Sequence, residues 1–300
     1  MKRFGVLLLL SLLVLSITGM ASAANYRIFL ITMDQMDQHW VTVDAGARKA
    51  AEELGNVTYR WLAPDVKDDA KQIESINNAV ASGADAILLA ANGPTAVTAA
   101  LREAAAAGVK IIYVDSPADF PAEQTLATDN EAAGKTAGLE LRKALEAKGI
   151  TSGKIGIVNV NAATASTVLR ERGFRAAFAD SAFEILETQY GEGDAAKSKD
   201  IAANYITQGV VGIFGANEGS TVGTGNAIKE AGGNTIGVGF DKSNTILQLI
   251  KEGHLLATMA QNPDVMGYEG MKAAVAVLEG KTLEVDYVDT GVSVLTKDTI

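Results

Sequence analysis

From residue 25 onward the chain alternates between two hydrophobic patterns. Short runs rich in Ile, Val and Leu are followed by longer Ala-rich segments whose apolar residues recur at helical spacing. The short runs predict strands over 26–32, 57–62, 86–90, 110–114, 154–158, 184–189, 210–214, 235–239 and 256–260. The longer segments predict helices over 40–54, 69–82, 94–106, 131–148, 167–179, 195–207, 220–231, 244–252 and 264–278. Gly55, Gly83, Gly108, Gly149, Gly209, Gly232 and Gly253 fall where these helices should stop, as a left-handed C-terminal cap requires. Unbroken apolar strands alternating with helices predict an α/β fold whose parallel sheets are covered on both faces.

Two stretches are alike. Gly83-Ala84-Asp85-Ala86-Ile87-Leu88-Leu89 and Gly209-Val210-Val211-Gly212-Ile213-Phe214 are each a helix cap running into a buried strand. The length of 300 residues accommodates two doubly wound lobes of roughly 100–150 residues. Residues 125–128 form a short extended piece after Pro121, expected as the first crossing between lobes. No proline- or serine-rich linker occurs, so short extended connections are expected, which suit a hinge better than a tether.

Composition narrows the chemistry. With 48% hydrophobic and 21% charged residues the chain is globular. A formal net charge of −10 argues against nucleic acid and anionic membrane surfaces as partners, since both reward clustered Lys and Arg. Cysteine is absent, which excludes disulfides, thiolate metal sites and a cysteine nucleophile. His39 and His254 are the only imidazoles, so a multi-histidine zinc site is excluded, and no cofactor or metal is expected. Lys2 and Arg3, an apolar run over 6–17 and the ending Thr18-Gly19-Met20-Ala21-Ser22-Ala23 read as a secretory signal peptide over 1–23. The run is short for the ~30 Å of a bilayer core. Without a cysteine to carry a lipid, a free periplasmic protein is expected over a tethered one.

In open α/β sheets, ligands sit beyond the carboxyl ends of the strands. The residues placed there are Asp34, Asp37, His39 and Trp40 after the first strand, and Asp115-Ser116 after the fourth. Later strands are followed by Asn217-Glu218, by Phe240-Asp241 and by Gln261-Asn262, and Arg170 in the first turn of its helix can join them. Carboxylates, amides and a guanidinium satisfy sugar hydroxyls, which both donate and accept, and Trp40 offers an aromatic face to sugar C–H groups. Each has a plainer reading. Asp115 could cap a turn before Pro117, Asp34 could hold its loop, and Trp40 could be core; Trp61 reads as core, and Asp65, Asp68 and Asp69 as an acidic first helical turn. Gly134-Lys135-Thr136 has part of a phosphate loop, but Asp129 stands where its first glycine belongs. No nucleophile elbow and no dinucleotide glycine pattern is present. Paired carboxylates leave an exported glycosidase open.

These residues, in this order, resemble the ribose-type periplasmic sugar-binding proteins of ABC transporters, the type I periplasmic binding fold. The resemblance covers residues 25–300. It is carried by Trp40-Val41 through Gly46-Ala47, Ala127-Thr128-Asp129-Asn130 with Gly134, Arg170-Glu171-Arg172-Gly173-Phe174, Gly215-Ala216-Asn217-Glu218, Gly237-Val238-Gly239-Phe240-Asp241, and Ala260-Gln261-Asn262-Pro263-Asp264 with Gly267. It implies two lobes joined by a three-segment hinge, the first over 25–128 plus 262–290 and the second over 129–261 plus 291–300. It implies ligand contacts from Asp37, His39, Trp40, Asp115 and Ser116 in the first lobe, and from Arg170, Asn217, Phe240, Asp241 and Gln261 in the second lobe and hinge. Thr128 would lie near the first crossing. Four features depart from the ribose pattern: Ser116 replaces an arginine, Ala90 an asparagine, Gly193 a phenylalanine, and His39-Trp40 an aromatic pair. The Asp115-Ser116 pair is similar to binders of deoxy sugars and of the furanosyl signal autoinducer-2. The implied ligand is a small neutral monosaccharide, sugar alcohol or related furanose. The implied partner is a membrane permease, with the protein a non-enzymatic monomer. An exported sensor that engages a chemoreceptor or sensor kinase, for chemotaxis or autoinducer-2-type signalling, is the alternative. A sugar-responsive repressor is disfavoured, because a signal peptide stands where a DNA-binding segment would be needed.

Overall fold

The structure, a computed structural model, describes residues 25–232 and 234–300; the expected signal peptide lies outside the described residues. The chain runs β1 (Tyr26–Ile31), α1 (Gln38–Leu54), β2 (Val57–Leu62), α2 (Asp69–Ala81), β3 (Ala86–Leu89), α3 (Thr98–Ala106), β4 (Lys110–Val114) and β5 (Gln124–Ala127). It continues with α4 (Asn130–Ala147), β6 (Ser152–Asn159), α5 (Ala165–Ala176), β7 (Ala182–Ile185), β8 (Gln189–Tyr190) and α6 (Ala195–Thr207). Then come β9 (Val210–Gly215), α7 (Glu218–Glu230), β10 (Ile236–Phe240), α8 (Asn244–Glu252), β11 (Ala257–Gln261), α9 (Pro263–Leu278), β12 (Tyr287–Asp289) and β13 (Val292–Thr296).

These strands form two sheets, ordered β12-β5-β4-β3-β1-β2 and β13-β11-β10-β9-β6-β7, with β8 also paired to β6. All pairings are parallel except β11 with β13. The central β3 is buried at every residue because helices cover both its faces, while the edge strand β2 alternates in burial. Each sheet therefore has a core on either side, for example Leu30, Leu88 and Val114 on one face of the first and Phe29, Ile87 and Tyr113 on the other. The backbone passes between the sheets three times, over 127–130, 261–263 and 289–292.

The two lobes solve one packing problem the same way. The helix that follows the first strand of each lobe, α1 after β1 and α5 after β6, crosses a helix of its own lobe, α9 and α4, at backbone contact. A Cβ at Gly46 would lie 2.0 Å from the Asp264 carbonyl oxygen, and one at Gly267 would lie 2.0 Å from that of Val43. In the second lobe a Cβ at Gly134 would lie 2.0 Å from the Arg170 oxygen, and one at Gly173 would lie 1.9 Å from the Glu131 oxygen. Gly134 of the incomplete phosphate-loop pattern thus serves helix packing, inside α4. The seven helix-stopping glycines all have positive φ.

Several expected boundaries shift. The helix expected from residue 94 begins at Thr98, because Pro94 and its neighbours form turns closed by the Thr98 N–H on the Thr95 carbonyl. The run 184–189 is two short strands. The gap between them is held by the Tyr205 hydroxyl, which bonds the carbonyls of Ile157 (3.2 Å) and Glu187 (2.6 Å). The extended piece expected over 125–128 as the first crossing lies mostly within β5, a strand of the first sheet, and the crossing itself starts at its end. The antiparallel β13 departs from an all-parallel expectation, since the last crossing returns the chain alongside β11.

The glycine crossings give a first prediction. Gly173→Ala forces α5 away from α4 and costs about 1–3 kcal/mol, as overpacking does. The melting temperature of the variant is expected to fall by several degrees in a thermal denaturation scan. An unchanged midpoint would contradict the close crossing.

Candidate functional site

The site is built on equivalent turns in the two lobes. Asp115 follows β4 and Asp241 follows β10, and both hold φ in the left-handed region, at 63° and 74°. Non-glycine residues occupy that region at a cost, and such outliers gather at functional sites. Each turn is fixed identically: the Asp115 N–H donates to the Leu126 carbonyl and the Asp241 N–H to that of Met259, both at 2.9 Å. The two carboxylates line a narrow cleft between the lobes.

His39 lies between them. Its Nε2 is 3.0 Å from Asp115 Oδ2, close as an ion pair although out of line for a hydrogen bond, and its Nδ1 is 3.5 Å from Asp241 Oδ1. Burial opposes a charge on the imidazole. The fields of Asp241 and Asp115 outweigh that and raise His39 to about 9. In return, although burial opposes its charge, Asp115 is held below the ordinary carboxylate range by His39 and Arg170. Trp40 meets the His39 ring edge-on, with centroids 4.6 Å apart.

Arg170 reaches the cleft from α5, with Nε and Nη1 bonded and Nη2 without a hydrogen-bond partner. Its Nε donates to Asn130 Oδ1 at 2.7 Å and its Nη1 to the Ala216 carbonyl at 3.0 Å. Its Nη2 is 3.7 Å from Asp115 Oδ2 in the other lobe. The guanidinium lies over the Phe240 ring, 4.2 Å from its centroid. Asn217 caps α7 through the Ser220 N–H. Gln261 donates to Asp241 Oδ1 at 2.6 Å and accepts from Thr128 Oγ1 at 2.8 Å, so the first two crossings are tied directly to the site.

A second charged group closes the first-lobe side. The Lys67 ammonium is held by Asp34 and by Asp37, the latter at 2.9 Å. Asp34 also accepts from the N–H groups of Met36 and Asp37 and from Trp40 Nε1. Burial, reinforced by Asp34 and Asp241 against the opposing Lys67, lifts Asp37 to about 6. Glu218 crosses from the second lobe, and its two oxygens accept from the N–H groups of Gln38 (3.1 Å) and His39 (3.0 Å). Burial first, then the charges of Asp37 and Asp241, raise Glu218 to about 7.

Eight of the expected contact residues line this one cleft: Asp37, His39, Trp40, Asp115, Arg170, Asn217, Asp241 and Gln261. Three do not. Phe240 is fully buried beneath Arg170, so its ring supports the guanidinium from behind. The Ser116 hydroxyl accepts from the Ser166 N–H at 3.4 Å and so spans the lobes. Thr128 spends its hydroxyl on Gln261. The expected core residue Trp61 packs on the first-lobe core and donates to Thr32 Oγ1. Met33, Lys67, Val160, Ser166 and Thr167 also line the cleft and were not singled out from the sequence. Where the ribose pattern has a phenylalanine, Gly193 leaves room for Lys67: a Cβ there would lie 2.8 Å from Lys67 Cε and Nζ. Among the described residues no helix is long and apolar enough to cross a membrane.

Comparison with known proteins agrees with this geometry. A family model described as a periplasmic binding protein domain matches residues 28–282. The ribose import binding protein of Haemophilus influenzae is 29% identical over 291 residues, covering 95% of this chain and 96% of that protein. A carbohydrate transporter solute-binding protein from Agrobacterium radiobacter, solved with D-arabinose, superposes with a TM-score of 0.88 at 32% identity, covering 92% of this chain and 96% of that one. An ABC transporter solute-binding protein from Agrobacterium vitis, solved with D-fucose, gives 0.86 at 31% identity, covering 91% and 96%. These structures share the fold of two parallel-dominated α/β lobes.

The charge bridge makes a prediction about pH. His39 is raised to about 9 from an ordinary 6.5. Its contribution to stability is therefore complete below 6.5 and is lost as pH rises through 9. With only two histidines in the chain, the His39 ring protons can be followed by NMR, with His254→Gln assigning the pair. A midpoint near 9 is expected; a midpoint at the ordinary value would contradict the bridge.

Proposed function

This chain belongs to the periplasmic binding protein domain family, and from that premise we propose that it is the solute-binding component of an ABC importer. In this reading it binds a small neutral monosaccharide, sugar alcohol or related furanose between two closing lobes. One observation carries the reading. Two equivalent left-handed aspartates, one from each lobe, converge with Arg170, Asn217, Gln261 and Trp40 on a single interlobe cleft. Such a set pairs the donors and acceptors of sugar hydroxyls while an indole edge faces the ring carbons. The relatives support the substrate class: they are named for ribose import or were solved with D-arabinose and D-fucose.

The lobes are 25–128 plus 262–290, and 129–261 plus 291–300, with the three crossings as hinge. Their mutual bonds suit that role. Tyr287, in the strand that enters the third crossing, donates its hydroxyl to the Thr128 carbonyl of the first, and Asn262 of the second donates its amide to the Thr290 carbonyl of the third. Ligand contacts made by both lobes favour the closed state, because only contacts that differ between two states shift their balance. Asp37, His39, Trp40, Asp115, Arg170, Asn217, Asp241 and Gln261 hold the ligand directly. Phe240, Thr128 and Ser116 support it through Arg170, Gln261 and the opposite lobe. The closed form is then delivered to a membrane permease, and a basic, apolar-cored segment over 1–23 sends the chain to the periplasm. The cleft accordingly has a binding role and no turnover step.

The test is a thermal-shift and calorimetry screen of the mature chain against D-ribose, D-arabinose, D-fucose, hexoses and sugar alcohols. A native-state ligand raises the melting point with its concentration. At least one sugar is expected to bind one per chain and to be recovered unchanged. Asp241→Asn should weaken it at least about a hundredfold, as loss of one member of a buried charged set does. Unchanged affinity in that variant would remove Asp241 from the site, and hydrolysis of the sugar would overturn the binder reading.

A further inference from the structure

Five helices are capped by the residue that precedes them, whereas α1 is bonded from across the cleft. In α2, α4, α6, α7 and α8 the residue before the helix accepts an N–H of its own first turn: Asp68, Asp129, Asp194, Asn217 and Ser243 each do so. Helix α1 is preceded by Asp37, an equally good capping residue, yet Asp37 makes no such bond because its carboxylate is held by Lys67. The N–H groups that open α1 would be left for water. They bond instead to the carboxylate of Glu218, the first residue of α7 in the opposite lobe.

We propose that Glu218 is an interlobe latch, a positioning residue whose carboxylate caps the first helix of the other lobe and so sets His39 in the closed cleft. Both oxygens are used, and the residue is 8% exposed. The bond exists only while the lobes are together, so it biases closure itself. Two weaker contacts repeat the device. Gln38 Oε1 accepts from the first N–H of α8 across the cleft at 3.0 Å, and Ser116 Oγ accepts from Ser166 in the first turn of α5 at 3.4 Å. The proposal rests on the clamp reading for its functional meaning and deepens it, but the contact stands on geometry alone.

The latch responds to protons. The charged groups that act on Glu218 are Asp37 before α1 and Asp241 after β10; Asp37 is paired to Lys67, and Asp241 lies near the His39 imidazole. Burial and the two aspartates raise the closed-state carboxyl to about 7, against an ordinary 4.5 once solvent reaches it. Closure therefore takes up a proton between about 4.5 and 7, and the closed form weakens as pH rises through 7. A glutamine here keeps one acceptor and cannot titrate.

The chain has no cysteine, so Glu103→Cys in the first lobe and Lys148→Cys in the second give a clean spin-label pair. Interlobe distances are read by electron–electron resonance from pH 5.5 to 8.5, without sugar and with D-ribose, D-arabinose or D-fucose. In the wild type the closed-to-open ratio is expected to fall between pH 5.5 and 7. Glu218→Ala should lower that ratio at pH 5.5 by about tenfold, because the Gln38 and His39 N–H groups lose their acceptor. Glu218→Gln should match the wild type at pH 5.5 and fall less than it between 5.5 and 7, keeping only the pH dependence that His39 and Asp37 contribute. Circular dichroism checks folding, and if the alanine variant unfolds, the glutamine profile decides. A Glu218→Gln profile that falls as steeply as the wild type between pH 5.5 and 7, or a Glu218→Ala variant that closes like the wild type, overturns the latch. Failure of all three sugars to bind while the sugar-free profiles behave as stated bears against the ligand reading and leaves the latch standing.

Discussion

One imidazole between two carboxylates of opposite lobes fixes the closed geometry. His39 is 94% removed from solvent, so its charge is sustained only by Asp115 and Asp241. Remove either aspartate and a buried cation loses half its compensation, a costly state. Remove the imidazole and two buried carboxylates face each other with Arg170 alone nearby. The remaining site residues arrange themselves around this constraint. Glu218 holds the His39 backbone, Gln261 holds Asp241, and Phe240 supports the guanidinium that partners Asp115.

That constraint needs a frame accurate to a fraction of an ångström, and the backbone supplies it. The glycine crossings seat α5 on α4, which sets where Arg170 emerges, and seat α1 on α9, which sets where His39 and Trp40 emerge. The left-handed turns after β4 and β10 place the aspartates at equivalent points of the two sheets. Polar groups fixed in this way need little reordering to meet a ligand, which favours affinity. The same arrangement suits a polyol, since its hydroxyls can join the His39–Asp115–Asp241 set without bringing charge of their own.

The fold was legible because its strands are buried on both faces and its helices end in glycine. A run such as Ala86-Ile87-Leu88-Leu89 has no reading other than a covered strand once flanked by helical patterns. Tyr287–Asp289 and Val292–Thr296 escaped because they are short, half-exposed strands that carry no apolar run. The aspartates at strand ends were legible from the position rule alone. Lys67 was not: Pro64-Asp65-Val66-Lys67-Asp68-Asp69 reads as a solvated acidic turn, and only the fold folds its ammonium onto Asp34 and Asp37. Glu218 was placed with Asn217 at a strand end, but its bond to a helix 180 positions away leaves no local trace. Ser116 lies after its strand as expected while Phe240 is the last residue of β10, and position does not say whether a side chain faces the cleft or the layer behind it.

The account makes the protein a clamp whose two lobes share one set of ligand groups, so its central claim concerns motion on binding. Small-angle X-ray scattering of the mature chain, before and after saturation with D-ribose, D-arabinose and D-fucose in turn, measures that motion in solution. The account predicts that at least one of these sugars lowers the radius of gyration and that dialysis restores it. A radius that no sugar changes, in a protein that nonetheless binds one of them one per chain, would contradict closure around the ligand.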